Sequence, residues 1–295
     1  MYQDIKRNKI KTGFIISVYI VVITLIIYYI CYALDFGIFS IIVALIASIA
    51  SAWGSYYYSD KIVLSIIENE NDRNYIESIF EEVYKEAREK NPGIPENVRL
   101  YMNHESEPNA FATGRDPEHS VICVTTALLD KLDYYELEGV VAHEMGHIKN
   151  YDIRLSAVLT VMVGLVIILS DFFSRAFLWT RFDNDNRNSS GIMVLVSVVL
   201  LVLAGFFGKL MKLAISRKRE FMADATAVEF TRNPDALISA LAKLDADTSK
   251  LEQANNSTEN MYIVTPFKGK QKKANNWFST HPSIEDRIEA IKNLK

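Results

Sequence analysis

The chain has 295 residues, of which 49% are hydrophobic and 23% charged, with only 12 Gly and 7 Pro, which excludes a disordered, collagenous or low-complexity protein. Its net charge of -4 speaks against a general nucleic-acid binder, and no nucleic-acid partner is expected. Two isolated cysteines, Cys31 and Cys123, give neither a disulfide framework nor a zinc-ligand spacing.

Apolar residues are gathered into four blocks with charge packed between them, so an integral membrane protein with a soluble part is expected. The first block, Gly13–Ala33, carries no charge and is long enough to cross a bilayer as a helix, for which about 20 residues suffice. A cleaved signal peptide would have a shorter apolar core, and here the run leads straight into a second block, Gly37–Gly54. Ser48, Ala50, Ser51 and Ala52 in that block are small enough for close helix–helix approach. Trp53 and Tyr56, Tyr57 and Tyr58 read as an interfacial aromatic belt.

In the polar stretch that follows, Asn71–Lys90 has helical spacing of Ile76, Ile79, Phe80, Val83 and Tyr84, and Asn91-Pro92-Gly93 stops it. Val98–Met102, Asn109–Thr113 and Val121–Thr125 read as short strands between turn residues, and Tyr134–Asn150 as a helix. Two further apolar blocks, Leu155–Leu169 and Ile192–Leu213, flank a loop at 171–190. Helices are then expected at Ser216–Phe230, Asp235–Leu244 and Ser283–Leu294. Basic residues set the orientation: Lys6, Arg7, Lys9 and Lys11 precede the first block and Arg217, Lys218 and Arg219 follow the fourth, which puts both termini and the polar stretches in the cytoplasm. The expected organisation is an N-terminal transmembrane hairpin (1–58), a first cytoplasmic segment (59–153), a second hairpin (154–213) and a second cytoplasmic segment (214–295).

Chemistry enters with His143-Glu144-Met145-Gly146-His147, an HExxH within the Tyr134–Asn150 helix. Positions i and i+4 share a helix face, so His143 and His147 can hold one ion together, while Glu144 addresses a water rather than the metal. A hydrolytic zinc needs a third protein ligand and an open position. Asn150 and Ile153 stand where the metzincin continuation needs Gly and His, so the third ligand lies elsewhere. His104, His119, His281 and a carboxylate on another helix are the candidates, with Glu220 in SRKREFMADATA the best placed. Asp224 lies one turn on, where it could accept a hydrogen bond from a ligating imidazole, and Ala223 and Ala227 leave room for a neighbouring helix. Two membrane blocks between His147 and Glu220 return the chain to the same side, so both halves of the site can meet.

HEMGH, a hydrophobic hairpin, SRKREFMADATA and an upstream Asn109-Ala110-Phe111-Ala112-Thr113-Gly114 together resemble the HtpX family of membrane-bound zinc metalloproteases, over nearly the whole chain. The resemblance implies a mainly helical α+β zincin-like (gluzincin) cytoplasmic domain carried by four transmembrane helices. It implies one zinc ion held by His143, His147 and Glu220, with Glu144 as catalytic base. It further implies an endopeptidase in a bacterial inner membrane, with misfolded or damaged membrane proteins as its protein substrates. The strand Asn109-Ala110-Phe111-Ala112, with Asn109 and Ala110 as candidate substrate contacts, would lie beside the cleft, where its edge can hydrogen-bond an extended substrate. His281 and Arg287 match the family's HP…R element and would assist the transition state. Against that role, Ser283 reads as an N-cap and Arg287 can simply pair with a carboxylate. A prenyl-protein-type endoprotease shares the ligand pattern but has more spans, and a site-2-type protease buries HExxH in the membrane, unlike a helix bearing Glu136, Glu138 and Lys149. A non-catalytic zinc-containing scaffold would have no need of Glu144.

Overall fold

The computed structural model describes residues 2–33, 37, 39–59, 61–62, 82, 84–86, 88–89, 98–180, 198–199, 202, 217–247, 261–264 and 282–294. The fourth apolar block and the amphipathic stretch Asn71–Lys90 fall almost wholly outside these residues, and so does His281.

Helix α1 spans Tyr2–Ala33 and α2 spans Phe39–Tyr57. Within them, Ile5–Tyr28 and Phe39–Tyr57 are long and apolar enough to cross a membrane. Their outward side chains are large and apolar, with Phe14 at 68% and Ile46 at 63% exposure, as a surface facing lipid tails requires. The buried face of α2 is instead small and polar: Ser40, Ala44, Ser48, Ala52 and Ser55. Hydroxyl pairs join the helices there, Thr24 Oγ1 to Ser48 Oγ at 2.6 Å and Tyr19 Oη to Ser51 Oγ at 2.8 Å, because small residues let backbones approach and polar groups need partners in lipid. Helix α1 begins well before Gly13, and its polar start turns Asn8 and Thr12 inward, with Thr12 Oγ1 donating to Asn8 O.

A three-stranded sheet follows: β1 (Arg99–Asn103), β2 (Ala110–Gly114) and β3 (Ser120–Thr125), in the order β1-β3-β2. The central strand β3 is parallel to β1 and antiparallel to β2. It is buried along its whole length, which accounts for its continuous apolar run. Gly114 ends β2 at φ 146°, where a Cβ would lie 2.3 Å from the His119 carbonyl oxygen. The short helix α3 (Thr126–Lys131), capped by Thr125, was not anticipated from the sequence.

Helices α4 (Tyr134–Lys149), α6 (Arg217–Thr231), α7 (Pro234–Ala246) and α8 (Ile284–Lys292) pack with the sheet around one hydrophobic core, which includes Ile122, Leu128, Val141, Phe230, Leu241 and Ile291. The architecture is thus mainly helical with a small sheet. Helix α5, Asp152–Thr180, is one continuous helix of 29 residues. It passes through 171–180, where a loop was expected, because Leu, Phe and Ala continue its helical pattern past Asp171. Its stretch Asp152–Ile168 bends 82° away from α4 at a short break. Asn150 caps α4 and Tyr151 adopts φ 59° at that corner. A second apolar cluster joins Ile15, Tyr19 and Ile23 of α1 to Leu155, Leu159 and Met162 of α5.

Candidate metal centre

The HExxH helix is fixed at its start by a capping box. Asp133 Oδ1 accepts from Glu136 N at 3.0 Å, and Glu136 Oε2 accepts from Asp133 N at 2.9 Å. Glu136 also accepts from Ser239 Oγ and Lys243 Nζ of α7, both at 2.6 Å. Burial works to raise this carboxyl, yet the Lys243, Ser239 and backbone hydrogen bonds hold it below its usual 4.5.

Toward its end α4 lies directly against α6. A Cβ on Gly146 would stand 3.2 Å from both Cα and O of Ala223, so the two backbones touch where each offers its smallest surface. That contact brings Glu220, in the first turn of α6, over the two histidines. His143 Nε2 and His147 Nε2 are 3.1 Å apart. Glu220 Oε2 is 3.8 Å from the first and Oε1 is 3.6 Å from the second. The three ligand atoms lie within 4.8 Å of one another. Nitrogen and oxygen ligands about 2.0–2.2 Å from a tetrahedral divalent ion stand about 3.3–3.6 Å apart, so these residues fit a metal with little adjustment.

The hydrogen bonds behind the ring atoms say the same. Asp224 Oδ1 takes His143 Nδ1 at 2.9 Å, and Asp152 Oδ2 takes His147 Nδ1 at 3.1 Å. A carboxylate only accepts, so each Nδ1 carries a proton and each Nε2 is aimed at the shared point. Burial, with Arg287 and His147 nearby, takes His143 down to about 4. Burial pulls His147 the same way, but Glu220, Asp152 and Glu144 overcome it and hold the imidazole at about 9. The surroundings therefore favour a positive charge at His147 Nε2, supplied by a proton or by a metal that displaces it.

Asp224 is in turn gripped by Arg287, whose Nε and Nη2 reach its two oxygens at 2.9 and 2.7 Å. Burial alone would raise Asp224; Arg287 and His143 keep it well below the usual carboxylate range. Arg287 is fully buried, donates also to Ile263 O at 2.9 Å, and its Nη2 is 3.4 Å from His143 Nδ1. It therefore stands behind the ligands, paired with a carboxylate. His104 is exposed and His119 pairs with Asp116 at 2.7 Å, so neither joins the cluster.

Glu144 is 1% exposed, and its Oε1 has no hydrogen-bond partner among the described residues. The carboxylate accepts from the Ala112 backbone, while burial, reinforced by Glu220, pushes it up to about 7. It lines a cavity of about 20 Å³ together with His147, Glu220, Ala112 and Tyr262, room for one water molecule.

The outer edge of β2 carries a segment of the chain itself. Ile263 N donates to Ala110 O at 2.9 Å, Tyr262 bridges Phe111, and Asn109 Nδ2 donates to Val264 O at 3.0 Å. Asn109 and Ala110 are consequently buried under Met261–Val264, and Ala112 is the β2 residue at the cavity. The sequence reading missed Asp152 and Asn8. Asn8 Nδ2 donates to Asp152 Oδ1 at 2.7 Å and to Asn150 O at 3.2 Å, tying α1 to the α4–α5 corner.

The model of peptidase family M48 matches residues 70–295. The chain belongs to peptidase family M48. It is an HtpX-like membrane metalloprotease, and its His143, His147 and Glu220 form a cluster that could hold a metal ion. It is similar to the protease HtpX homolog of Dictyoglomus thermophilum, 41% identical over 299 residues that cover 99% of this chain and 94% of the relative. The protease HtpX homolog of Caldanaerobacter subterraneus subsp. tengcongensis is 36% identical, covering 100% of this chain and 98% of its own. Among solved structures, that of S. mikatae Ste24p aligns with a TM-score of 0.48 at 16% identity, covering 99% of this chain and 67% of the other.

Proposed function

We propose that this M48 peptidase is a zinc endopeptidase that cleaves misfolded or damaged membrane proteins at the cytoplasmic face of a bacterial inner membrane. Two imidazoles and one carboxylate are the donor set that suits a catalytic zinc with an open fourth position. Four spans, with Leu155–Leu169 and Ile192–Leu213 as the second hairpin, keep segments 59–153 and 214–295 on one side, and the basic residues at Lys6–Lys11 and Arg217–Arg219 favour the cytoplasm. The bacterial HtpX homologs it resembles carry the name protease, which supports the substrate class.

The observation that carries the proposal is Glu144. A buried carboxylate with an unpartnered oxygen in a water-sized cavity beside the ligand cluster is poorly suited to stabilising a fold, since leaving a buried acceptor unsatisfied is unfavourable by about 1–3 kcal/mol. It is well suited to holding a proton taken from water. When bound, zinc polarises the scissile carbonyl and makes water acidic enough to lose that proton near neutral pH. Glu144 then accepts the proton and returns it to the leaving amine. Asp224 and Asp152 keep both imidazoles in the ligating tautomer, and the Ala112 amide steadies the carboxylate. An extended substrate would reach the cavity along β2 at Ala112, next to Met261–Val264.

The test is metal content and cleavage of an unfolded protein by the detergent-purified wild type beside Glu144→Gln. About one zinc per chain in both, with cleavage by the wild type alone, is expected. Zinc in both without cleavage by either refutes the proposed substrate class, and absence of zinc from both refutes the ligand assignment.

A further inference from the structure

A second cavity, of about 230 Å³, opens beside the metal centre between the N-terminal part of α1 and the start of α6. Arg7 and Lys11 line it from α1, Lys218 and Arg219 from α6, and Asn8 and Asp152 contribute polar side chains. Four cationic groups therefore converge on a space that has, among the described residues, a single carboxylate in its wall. That carboxylate is already engaged, by Asn8 Nδ2 at 2.7 Å, Arg219 Nη1 at 3.3 Å and His147 Nδ1 at 3.1 Å. Two helices of like charge thus face one space, and an anion there would be attracted by both.

The position of the cavity narrows the choice of anion. Arg7 and Lys11 lie at the N-terminal end of the candidate span Ile5–Tyr28, ahead of the uncharged run that begins at Gly13, where a helix crossing a bilayer would bring basic side chains to the level of the lipid phosphates. Met222 adds an apolar patch to the wall, as a ligand with an acyl-bearing end would use. Guanidinium groups from two helices offer fork-shaped donors to phosphate oxygens, and the lysines add point charges. The volume holds several water-sized groups, at about 30 Å³ of liquid per water, and hence a phosphate.

We propose that this cavity binds the phosphate group of an anionic phospholipid, clamped between α1 and α6. Asp152 and Arg219 line both this cavity and the smaller one at the metal centre, so a bound headgroup steadies the side chains that orient His147. The binding itself does not depend on the protease reading, and it is measured without cleavage.

The experiment titrates the full-length protein, in neutral detergent, with phosphatidylglycerol or phosphatidylcholine and counts retained lipids by native mass spectrometry. Phosphatidylglycerol is expected to bind at least tenfold more tightly. The double variant Arg7→Gln/Lys11→Gln is expected to lose about 30-fold in that affinity, at roughly fivefold per basic side chain, with phosphatidylcholine binding and metal content unchanged. Displacement of phosphatidylglycerol by millimolar inorganic phosphate supports the phosphate as the recognised group. Equal binding of the two lipids, or a variant that binds like the wild type, overturns the proposal. So does binding of inorganic phosphate without phosphatidylglycerol, which makes a free anion the ligand. Lys218→Gln approaches the cavity from the other helix; should the double variant not fold, an unchanged affinity in Lys218→Gln overturns the proposal.

Discussion

His143 and His147 each give Nδ1 to an aspartate, but the two aspartates belong to different parts of the molecule. Behind His143, Asp224 and Arg287 are 1% and 0% exposed, and every partner comes from α6, α8 or the segment at Ile263. Behind His147, Asp152 sits at the α4–α5 corner, held by Asn8 of a membrane helix and by Arg219. The His147 side chain keeps 15% of its surface, and the lipid-binding cavity lies next to it. One side of the centre is sealed into the core of the catalytic unit, whereas the other is fastened to the membrane anchor. A charge pair that is fully enclosed fixes a fold; one at the junction of two units can transmit the state of either.

The largest expected effect of breaking this contrast is Arg287→Leu. It leaves Asp224 as an uncompensated buried charge, which destabilises by about 3–5 kcal/mol, and should appear as a collapse of the thermal transition together with lost metal. A wild-type melting temperature in that variant would mean the sealed side does not depend on its ion pair. Arg287→Lys should recover part of the loss only, since an ammonium cannot reach both oxygens in the planar fork.

Asp152→Asn and Asp224→Asn sharpen the comparison. Loss of a carboxylate behind a ligating imidazole lowers metal affinity by about 10–100-fold, measurable by competition with a chelator. Both variants should show it, but only Asp224→Asn should also lower the melting temperature appreciably, because Asp224 pairs directly with a fully buried guanidinium. Next comes Gly146→Ala, which places a methyl 3.2 Å from Ala223 backbone atoms and costs about 1–3 kcal/mol as an overpacked contact. Since α6 must retreat by tenths of an ångström, metal retention should fall before the fold does.

These variants also show what the sequence makes readable. The i, i+4 spacings of His143 with His147 and of Glu220 with Asp224 can be seen because a helix repeats its faces locally. Ala223 could be seen as a close-packing site for the same reason. Asp152 lies outside any such pattern, since it reaches His147 only through the left-handed turn at Tyr151. Asn8 is 144 residues from its partner, and its polar side chain within a helical run looks like a solvated residue until α1 is seen to start at Tyr2. Met261–Val264 has no periodicity to mark it as the cover of the β2 edge. Strand positions were legible to within a residue, because β-branched runs between turn residues are also a local signal. The end of the third apolar block was not, as a charged residue such as Asp171 is compatible with a helix or a loop.

The smaller expected effects concern attachments. Asn8→Ala removes two hydrogen bonds at the corner, each contributing about 0.5–1.5 kcal/mol, and should weaken metal binding less than Asp152→Asn while leaving α4–α6 packing intact. If instead it matches Asp152→Asn, the membrane helix does more of the orienting than Arg219. At the far end of α4, Glu136 is held below its usual value in the folded protein. Its contribution to stability is therefore complete above the unfolded carboxyl value and is lost as pH falls through the folded one. Glu136→Gln should lower stability above the unfolded carboxyl value and so flatten the acid limb of a stability–pH profile, its difference from the wild type fading at low pH.

The arrangement of Arg287 also has a consequence for synthesis. His143 and Arg287 are separated by 144 residues, which at about 5–20 residues per second means roughly 7–30 s between their emergence from the ribosome. Glu220 arrives in the interval, and Asp224 has no counter-charge until Arg287 follows. The nascent chain thus carries both histidines for many seconds before the cluster can close. An enzyme assembled in that order has no working centre while its own unfolded, uninserted segments are the nearest substrates to hand.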